Sequence, residues 1–129
     1  MPLVRITLAE GTTREHRRAI ADGVHQALVE VAAVPADDRF QILEEVPAAA
    51  LIWSPTYLGI RRSGSLVIVQ IFFNAGRSVE VKQRLYAGIA ERVTAATGLR
   101  KEDLLVSLVE VAKENWSFGN GAMSYPPAP

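Results

Sequence analysis

The chain has 129 residues, no cysteine, and fourteen basic side chains balanced by fourteen acidic ones. This length fits one domain, residues 1–129, and 49% hydrophobic content can bury a core without disulfide or metal staples. Zero net charge leaves no basic stripe for nucleic acid or an anionic membrane, and the absence of cysteine excludes thiolate nucleophiles and cysteine metal sites. A cytoplasmic protein with a small-molecule or protein partner is expected.

The segment Met1-Pro2-Leu3-Val4-Arg5-Ile6-Thr7-Leu8 alternates from residue 2, with Val4, Ile6 and Leu8 on one face and Arg5 and Thr7 on the other, the period of a half-buried strand. It is too short and too polar for a signal peptide or a membrane span. If Met1 is removed, Pro2 becomes a free secondary amine. An apolar pocket would lower the pKa of that amine by disfavouring the cation, which brings proton transfer near neutral pH within reach. The alternative is an ordinary proline at a strand start, where proline is tolerated.

Gly11 ends the strand, and Thr12-Thr13-Arg14-Glu15 predicts a capping box between Thr12 and Glu15. Ile20, Val24, Ala27, Leu28 and Val31 then recur at helical spacing over about five turns, opposite Arg18, Asp22, Gln26 and Glu30. His16 and His25 lie nine apart on this helix, which is not metal spacing; no metal and no cofactor are expected. Val34-Pro35-Ala36-Asp37-Asp38 breaks the helix, since the residue before proline is steered away from helical backbone. A second strand is predicted from Arg39 to Val46.

Pro47 to Gly64 lacks a period and is expected to be an ordered connection pinned by Trp53 and Tyr57. Leu66 to Phe73 is an almost unbroken apolar run, which predicts a strand buried on both faces. Gly76-Arg77-Ser78 leads into a second helix carrying Val81, Leu85, Ile89 and Val93. Gly98 stops it, and Leu104 to Val111 is the fourth strand. The tail, with Trp116, Phe118 and Pro126, Pro127 and Pro129, is expected to leave the body or dock on a neighbour.

The second half repeats the first at an offset of 65 residues: Val4 matches Val69, Ile6 matches Ile71, Gly11 matches Gly76, Glu15 matches Glu80, Gly23 matches Gly88, Asp38 matches Asp103 and Glu45 matches Glu110. Element boundaries keep the same register. The chain is therefore a tandem β-α-β duplication, with repeats at about 2–46 and 67–111. The predicted class is α+β, with a four-stranded mixed sheet and both helices on one face. The sheet's other face needs cover, and symmetric self-association is the usual way to find it.

Together with this doubling, Pro2 resembles the amino-terminal proline of the tautomerase superfamily, and the long form looks like its malonate semialdehyde decarboxylase branch. Three local matches carry the likeness: Val34-Pro35-Ala36-Asp37-Asp38-Arg39-Phe40-Gln41, Arg77-Ser78 with Lys82, and Trp116-Ser117-Phe118-Gly119-Asn120-Gly121. The resemblance implies a homotrimer in which Pro2 is the acid or base, Asp38 the pocket carboxylate and Arg77 the holder of a substrate carboxylate, with Trp116 and Phe118 beside the pocket. The decarboxylases carry two arginines flanking one residue here, and Asn74-Ala75-Gly76-Arg77 keeps only the second.

The residues' own chemistry is compatible with these roles. If the two units join through antiparallel contact between their first strands, Pro2 comes close to Arg77, whose planar fork suits a carboxylate. Each residue has another reading: Asp38 as turn chemistry, Arg77 as a solvated arginine in the first helical turn, and Trp116 and Phe118 as core or subunit contacts. Arg61 and Arg62 could stand in for the missing arginine or be simply solvated. The expected activity is a cofactor-independent tautomerase or isomerase on a small 2-oxo or enol carboxylate. Decarboxylation or hydration of a three-carbon acid is the second expectation, and a catalytically silent trimeric binding protein the third.

Overall fold

A computed structural model describes all 129 residues. Leu3–Ala9 forms β1, Arg14–Ala32 α1, Gln41–Val46 β2, Val67–Asn74 β3, Val79–Thr97 α2 and Leu104–Val111 β4. The sheet order is β2-β1-β3-β4; the outer pairs are parallel, and β1 and β3 run antiparallel at the centre. This is the predicted class, made of two β-α-β units joined through their first strands. No helix is long and apolar enough to cross a membrane.

The duplication extends to individual hydrogen bonds. Asp38 N–H donates to Pro35 O and Asp103 N–H to Arg100 O, each at 3.0 Å. Glu10 N–H reaches Val46 O at 2.8 Å as Ala75 N–H reaches Val111 O at 3.0 Å. A short 3-10 turn follows each unit, at Ala48–Ala50 and at Lys113–Asn115. The ion pairs repeat as well: Arg17 lies 3.2 Å from Glu45, and Lys82 lies 2.5 Å from Glu110.

Val4, Ile6 and Leu8 of β1 and Val67, Val69, Ile71 and Phe73 of β3 face Ile20, Val24, Leu28, Leu85, Ile89 and Val93 of the helices in one buried cluster. Each such side chain stabilises the fold by about 1.5–3 kcal/mol relative to exposure. The matched glycines mark where α1 and α2 cross. A Cβ on Gly23 would stand 3.1 Å from Val93 Cγ2, and one on Gly88 would stand 3.2 Å from Val31 Cγ2.

Four local expectations are corrected. Thr13, not Thr12, caps α1, its hydroxyl accepting from His16 N–H at 3.1 Å, so no reciprocal box with Glu15 forms. β3 is fully buried on its helix face only; Ile68 and Phe72 on the other face are half-buried, because nothing in the chain covers that side. Tyr57 is exposed and so does not pin the connection; Trp53 is half-buried, and the Arg62 guanidinium holds the loop by donating to the carbonyls of Ser54, Tyr57 and Ile60. The tail folds back on its own chain, with Phe118 against Phe40 (ring centroids 5.5 Å apart) and Ser124 N–H donating to Trp116 O.

Candidate active site

The register Leu3↔Phe72 sets the start of β1 beside the end of β3, so the residues before β1 meet those that lead into α2. Pro2 is buried there. With Met1 in place the Pro2 nitrogen is an amide, and the chain's amine belongs to Met1, 3.9 Å from Asp38 Oδ2. Asp38 sits in the turn that leads into β2, held by its N–H bond to Pro35 O.

Both Asp38 side-chain oxygens are buried and neither has a hydrogen-bond partner. That is a costly state for a carboxylate, by about 1–3 kcal/mol or more. Its repeat counterpart, Asp103, shows how this fold satisfies the position. Asp103 accepts from Ser63 N–H and from Ser63 Oγ–H, each at 2.6 Å, and stands 3.4 Å from Arg100. Turn chemistry therefore accounts for Asp103 and leaves the Asp38 carboxyl unexplained.

Arg77 lies outside the helix, two residues before its first residue, because Ser78 is the cap and accepts from Val81 N–H. The Arg77 side chain is half-buried rather than solvated. Its Nε and Nη2 donate to Ala32 O at 3.4 and 3.2 Å, its Nη1 donates to Asn74 O at 3.1 Å, and its guanidinium lies 4.5 Å above the Phe73 ring. The carbonyl end of α1 is a favourable place for a cation. Ala33 turns α1 off there in the left-handed region, at φ 59°, a position held by Gly98 in the second unit.

Asn74 joins this cation to the tail, since its Oδ1 accepts from Trp116 Nε1–H at 2.7 Å. Trp116 stacks on Phe118 at 5.0 Å between centroids, and Tyr125 meets Phe118 edge-on. A row of rings from Phe40 through Phe118 to Trp116 thus runs from the chain just after Asp38 to Asn74, whose carbonyl accepts from Arg77.

The charges act on one another. Burial lowers the proton affinity of the terminal amine; Asp38 opposes this, and Arg77 and Lys113 add to it. Burial pushes the Asp38 carboxyl up, the terminal amine and His25 pull it down, and Asp37 raises it further. Burial also lowers Arg77, against the attraction of Glu110. A half-buried amine thus stands beside a buried carboxyl, and burial shifts each toward its neutral form, the arrangement expected of a pair that exchanges a proton.

The structure thus gathers Pro2, Asp38, Arg77, Trp116 and Phe118 in one region. Arg62 is tied into its own loop, and Arg61 lines a separate cavity with Arg100, Lys101 and Glu102, so neither arginine joins that group in this chain. Sequence reasoning gave no role to Phe40, Asn74 or Lys113. Their counterparts in the repeat are Leu105, Ala9 and Ala48, so each is a position where the two units diverge, and that divergence was the available signal. A cavity of about 570 Å³ opens at the opposite end of the sheet and is lined by Val67, Thr12 and Asp103, the counterparts of Pro2, Arg77 and Asp38. Its three counterpart residues lack the amine, the guanidinium and the free carboxyl of the first region.

Two sequence profiles, each described as "Tautomerase enzyme", match residues 38–119 and residues 2–61. "Probable tautomerase YrdN" of Bacillus subtilis (strain 168) is 37% identical over 125 residues, which cover 97% of this chain and 96% of that one. Among solved structures, an FG41 malonate semialdehyde decarboxylase inhibited by 3-bromopropiolate superposes with a TM-score of 0.89 at 47% identity, covering 95% of this chain and 93% of that one. A fused 4-OT wild type symmetric trimer superposes at 0.78 with 26% identity, covering 95% of each chain. The doubled unit, the fold and these likenesses agree: the chain belongs to the tautomerase superfamily and is similar to its malonate semialdehyde decarboxylase members.

Proposed function

We propose that the protein is a cofactor-independent tautomerase or isomerase of a small 2-oxo or enol carboxylate, with the Pro2 nitrogen as acid-base once Met1 is removed. The observation that carries this reading is the buried Asp38 carboxyl, which has no hydrogen-bond partner and stands 3.9 Å from the amine of Met1, the residue next to Pro2, with Arg77 acting on the same amine. Arg77 holds the substrate carboxylate with the N–H groups left free by Ala32 and Asn74. The neutral Pro2 nitrogen takes a proton from the carbon beside the ketone, and the electron pair moves into the carbonyl to give an enolate. Arg77 stabilises the charge that spreads toward the carboxylate, and a proton returned to oxygen gives the enol. Ketonisation is the same path reversed. Burial at the start of β1 favours the neutral form of the amine, and Trp116 and Phe118 add apolar surface to the region.

The 47% identity to a malonate semialdehyde decarboxylase favours a second reading. There a cationic Pro2 donates a hydrogen bond to the aldehyde oxygen, the bond between the carboxylate and its neighbouring carbon breaks, and carbon dioxide leaves. The electron pair forms an enolate that is protonated to the aldehyde. Hydration of an acetylenic acid would use the same cation with Asp38 directing water.

A homotrimer is part of the proposal, supported by the sheet face on which Ile42, Ile68, Phe72 and Leu105 lack cover. The test is ultraviolet-followed ketonisation of an aryl enolpyruvate by wild type, Pro2→Ala and Arg77→Ala. Turnover by the wild type, lost in both variants, supports the first reading. Carbon dioxide release from a three-carbon semialdehyde acid supports the second. No turnover of any acid leaves a silent binding protein.

A further inference from the structure

Arg77 directs three of its N–H groups to main-chain carbonyls, and a second cation lies on the turn beside one of them, Asn74. Lys113 opens the 3-10 turn Lys113–Asn115. Both ends of that turn are fixed to the residues around Asn74. On one side Val111 pairs with Asn74 and accepts from Ala75 N–H; on the other, Trp116 donates to the Asn74 side chain. The Lys113 side chain is exposed and forms neither a salt bridge nor a hydrogen bond, unlike Lys82, which is bound to Glu110. Lys113 and Arg77 both lower the proton affinity of the Met1 amine.

The turn has no structural need of lysine. In the first unit the turn Ala48–Ala50 carries alanine at the matching place and closes with the same bonds: Ala50 N–H to Pro47 O corresponds to Asn115 N–H to Ala112 O, and Leu51 N–H to Ala48 O corresponds to Trp116 N–H to Lys113 O. That alanine goes with Val67, Thr12 and the bound Asp103, the counterpart set that lacks the amine, the guanidinium and the free carboxyl. A cation with no fold role thus accompanies the set that keeps the reactive groups.

We propose that Lys113 is a second anion contact of this site, and that the preferred ligand is a short acid bearing a second anionic group at the end away from the carboxylate on Arg77. Asn74 ties both cations to one place, its carbonyl accepting from Arg77 and its side chain from Trp116 at the end of the Lys113 turn, so a diacid can be held by both ends there. A monoacid meets only Arg77 and has one end free. This inference rests on the proposed placement of the substrate carboxylate on Arg77 but not on turnover.

The test uses the processed protein and two unreactive acids, succinate and butyrate, with binding measured by calorimetry for wild type, Lys113→Met, Lys113→Arg and Arg77→Ala. The expected result is that the wild type prefers succinate, that Lys113→Met weakens succinate about fivefold and moves butyrate by less than about twofold, and that Lys113→Arg restores succinate binding. Arg77→Ala should weaken both acids. A wild type with no preference for succinate, or a Lys113→Met variant that leaves succinate unchanged or weakens both acids equally, overturns the proposal. Neither acid reacts, so a protein that ketonises nothing still answers the question, and a failed Lys113 arm leaves the ketonisation result standing.

Discussion

Asp38 and Asp103 occupy the same turn in the two halves of the chain, 65 residues apart, and they are treated in opposite ways. Asp103 is bound by Ser63 through both its oxygens, and Asp38 has no hydrogen-bond partner although it is also buried. The two carboxylates should therefore separate stability from activity. Asp103→Asn is expected to cost about 2 kcal/mol, because it disturbs a charged, buried hydrogen-bond pair. Asp38→Asn should leave the melting temperature at pH 7 unchanged or higher and lower turnover by about 100-fold. Paired melts and ketonisation rates check this, and a large loss of stability in Asp38→Asn would contradict it.

The Asp38 carboxyl also sets a pH slope. Its folded pKa is raised by burial, so above the ordinary carboxylate range of about 3.9 the unfolded chain has released a proton that the folded chain still holds. Stability contributed by this group is thus present at low pH and declines as pH rises through the folded pKa. Asp22 works in the opposite sense: its hydrogen bond from Arg39 lowers its pKa, and its contribution is lost as pH falls. Comparing denaturation midpoints of wild type and Asp38→Asn from pH 4 to pH 8 should show the downward limb in the wild type alone.

Processing of the first peptide bond is expected to switch the activity. A chain that retains Met1 presents Pro2 as an amide and should turn over an enol acid at least about 100 times more slowly than the processed chain. Intact mass identifies each form, and treatment of the retained form with an aminopeptidase that cleaves before proline should restore the rate. Equal rates in the two forms would remove Pro2 from the mechanism.

Arg77→Lys should behave nearly like Arg77→Ala. A lysine has no planar fork with which to bridge Ala32 O while facing a carboxylate, and it stacks less well on Phe73. Turnover should fall by about 100-fold with a rise in KM. Steady-state kinetics on one enol acid would decide between this and an arginine that supplies only charge, which lysine would replace.

Ala33 is a strained C-cap, and the second unit shows the relaxed version at Gly98. Ala33→Gly is expected to stabilise the protein by about 1 kcal/mol, a rise of about 4 °C in Tm, and Gly98→Ala to destabilise it by a similar amount. Since Ala32 O holds Arg77, the activity of Ala33→Gly reports whether that carbonyl keeps its place.

Most of the fold is legible in the sequence because duplication writes each element twice. A boundary that is ambiguous in one unit is repeated in the other: Ser78 stands where Thr13 stands, a signal that settles which of the two threonines caps α1. The site is legible where it lies in a motif, as with Pro2, Asp38 and Arg77, but the sequence does not distinguish a free Asp38 from a bound Asp103, because the difference lies in Ser63, which comes from a connection without periodicity. The tail is misread for a similar reason. Proline and glycine describe its backbone, but its anchor is Phe40, far upstream, and only the fold brings the two together. The apolar run of β3 overstates burial, since hydrophobic residues on the second face mark a surface that another copy can cover.

The cavity at the far end of the sheet is lined by Val67 at the place that Pro2 holds in the first region. A nucleophilic or basic nitrogen of the kind proposed for Pro2 exists only at the beginning of a polypeptide, and fusing two units gives them a single beginning. Val67, in the place of Pro2, has its nitrogen locked in a peptide bond, and no substitution at that position can change this. In a doubled unit only one of the two matching positions can carry such a nitrogen, and at the other the cavity is lined by Val67, Thr12 and an Asp103 already bound by Ser63.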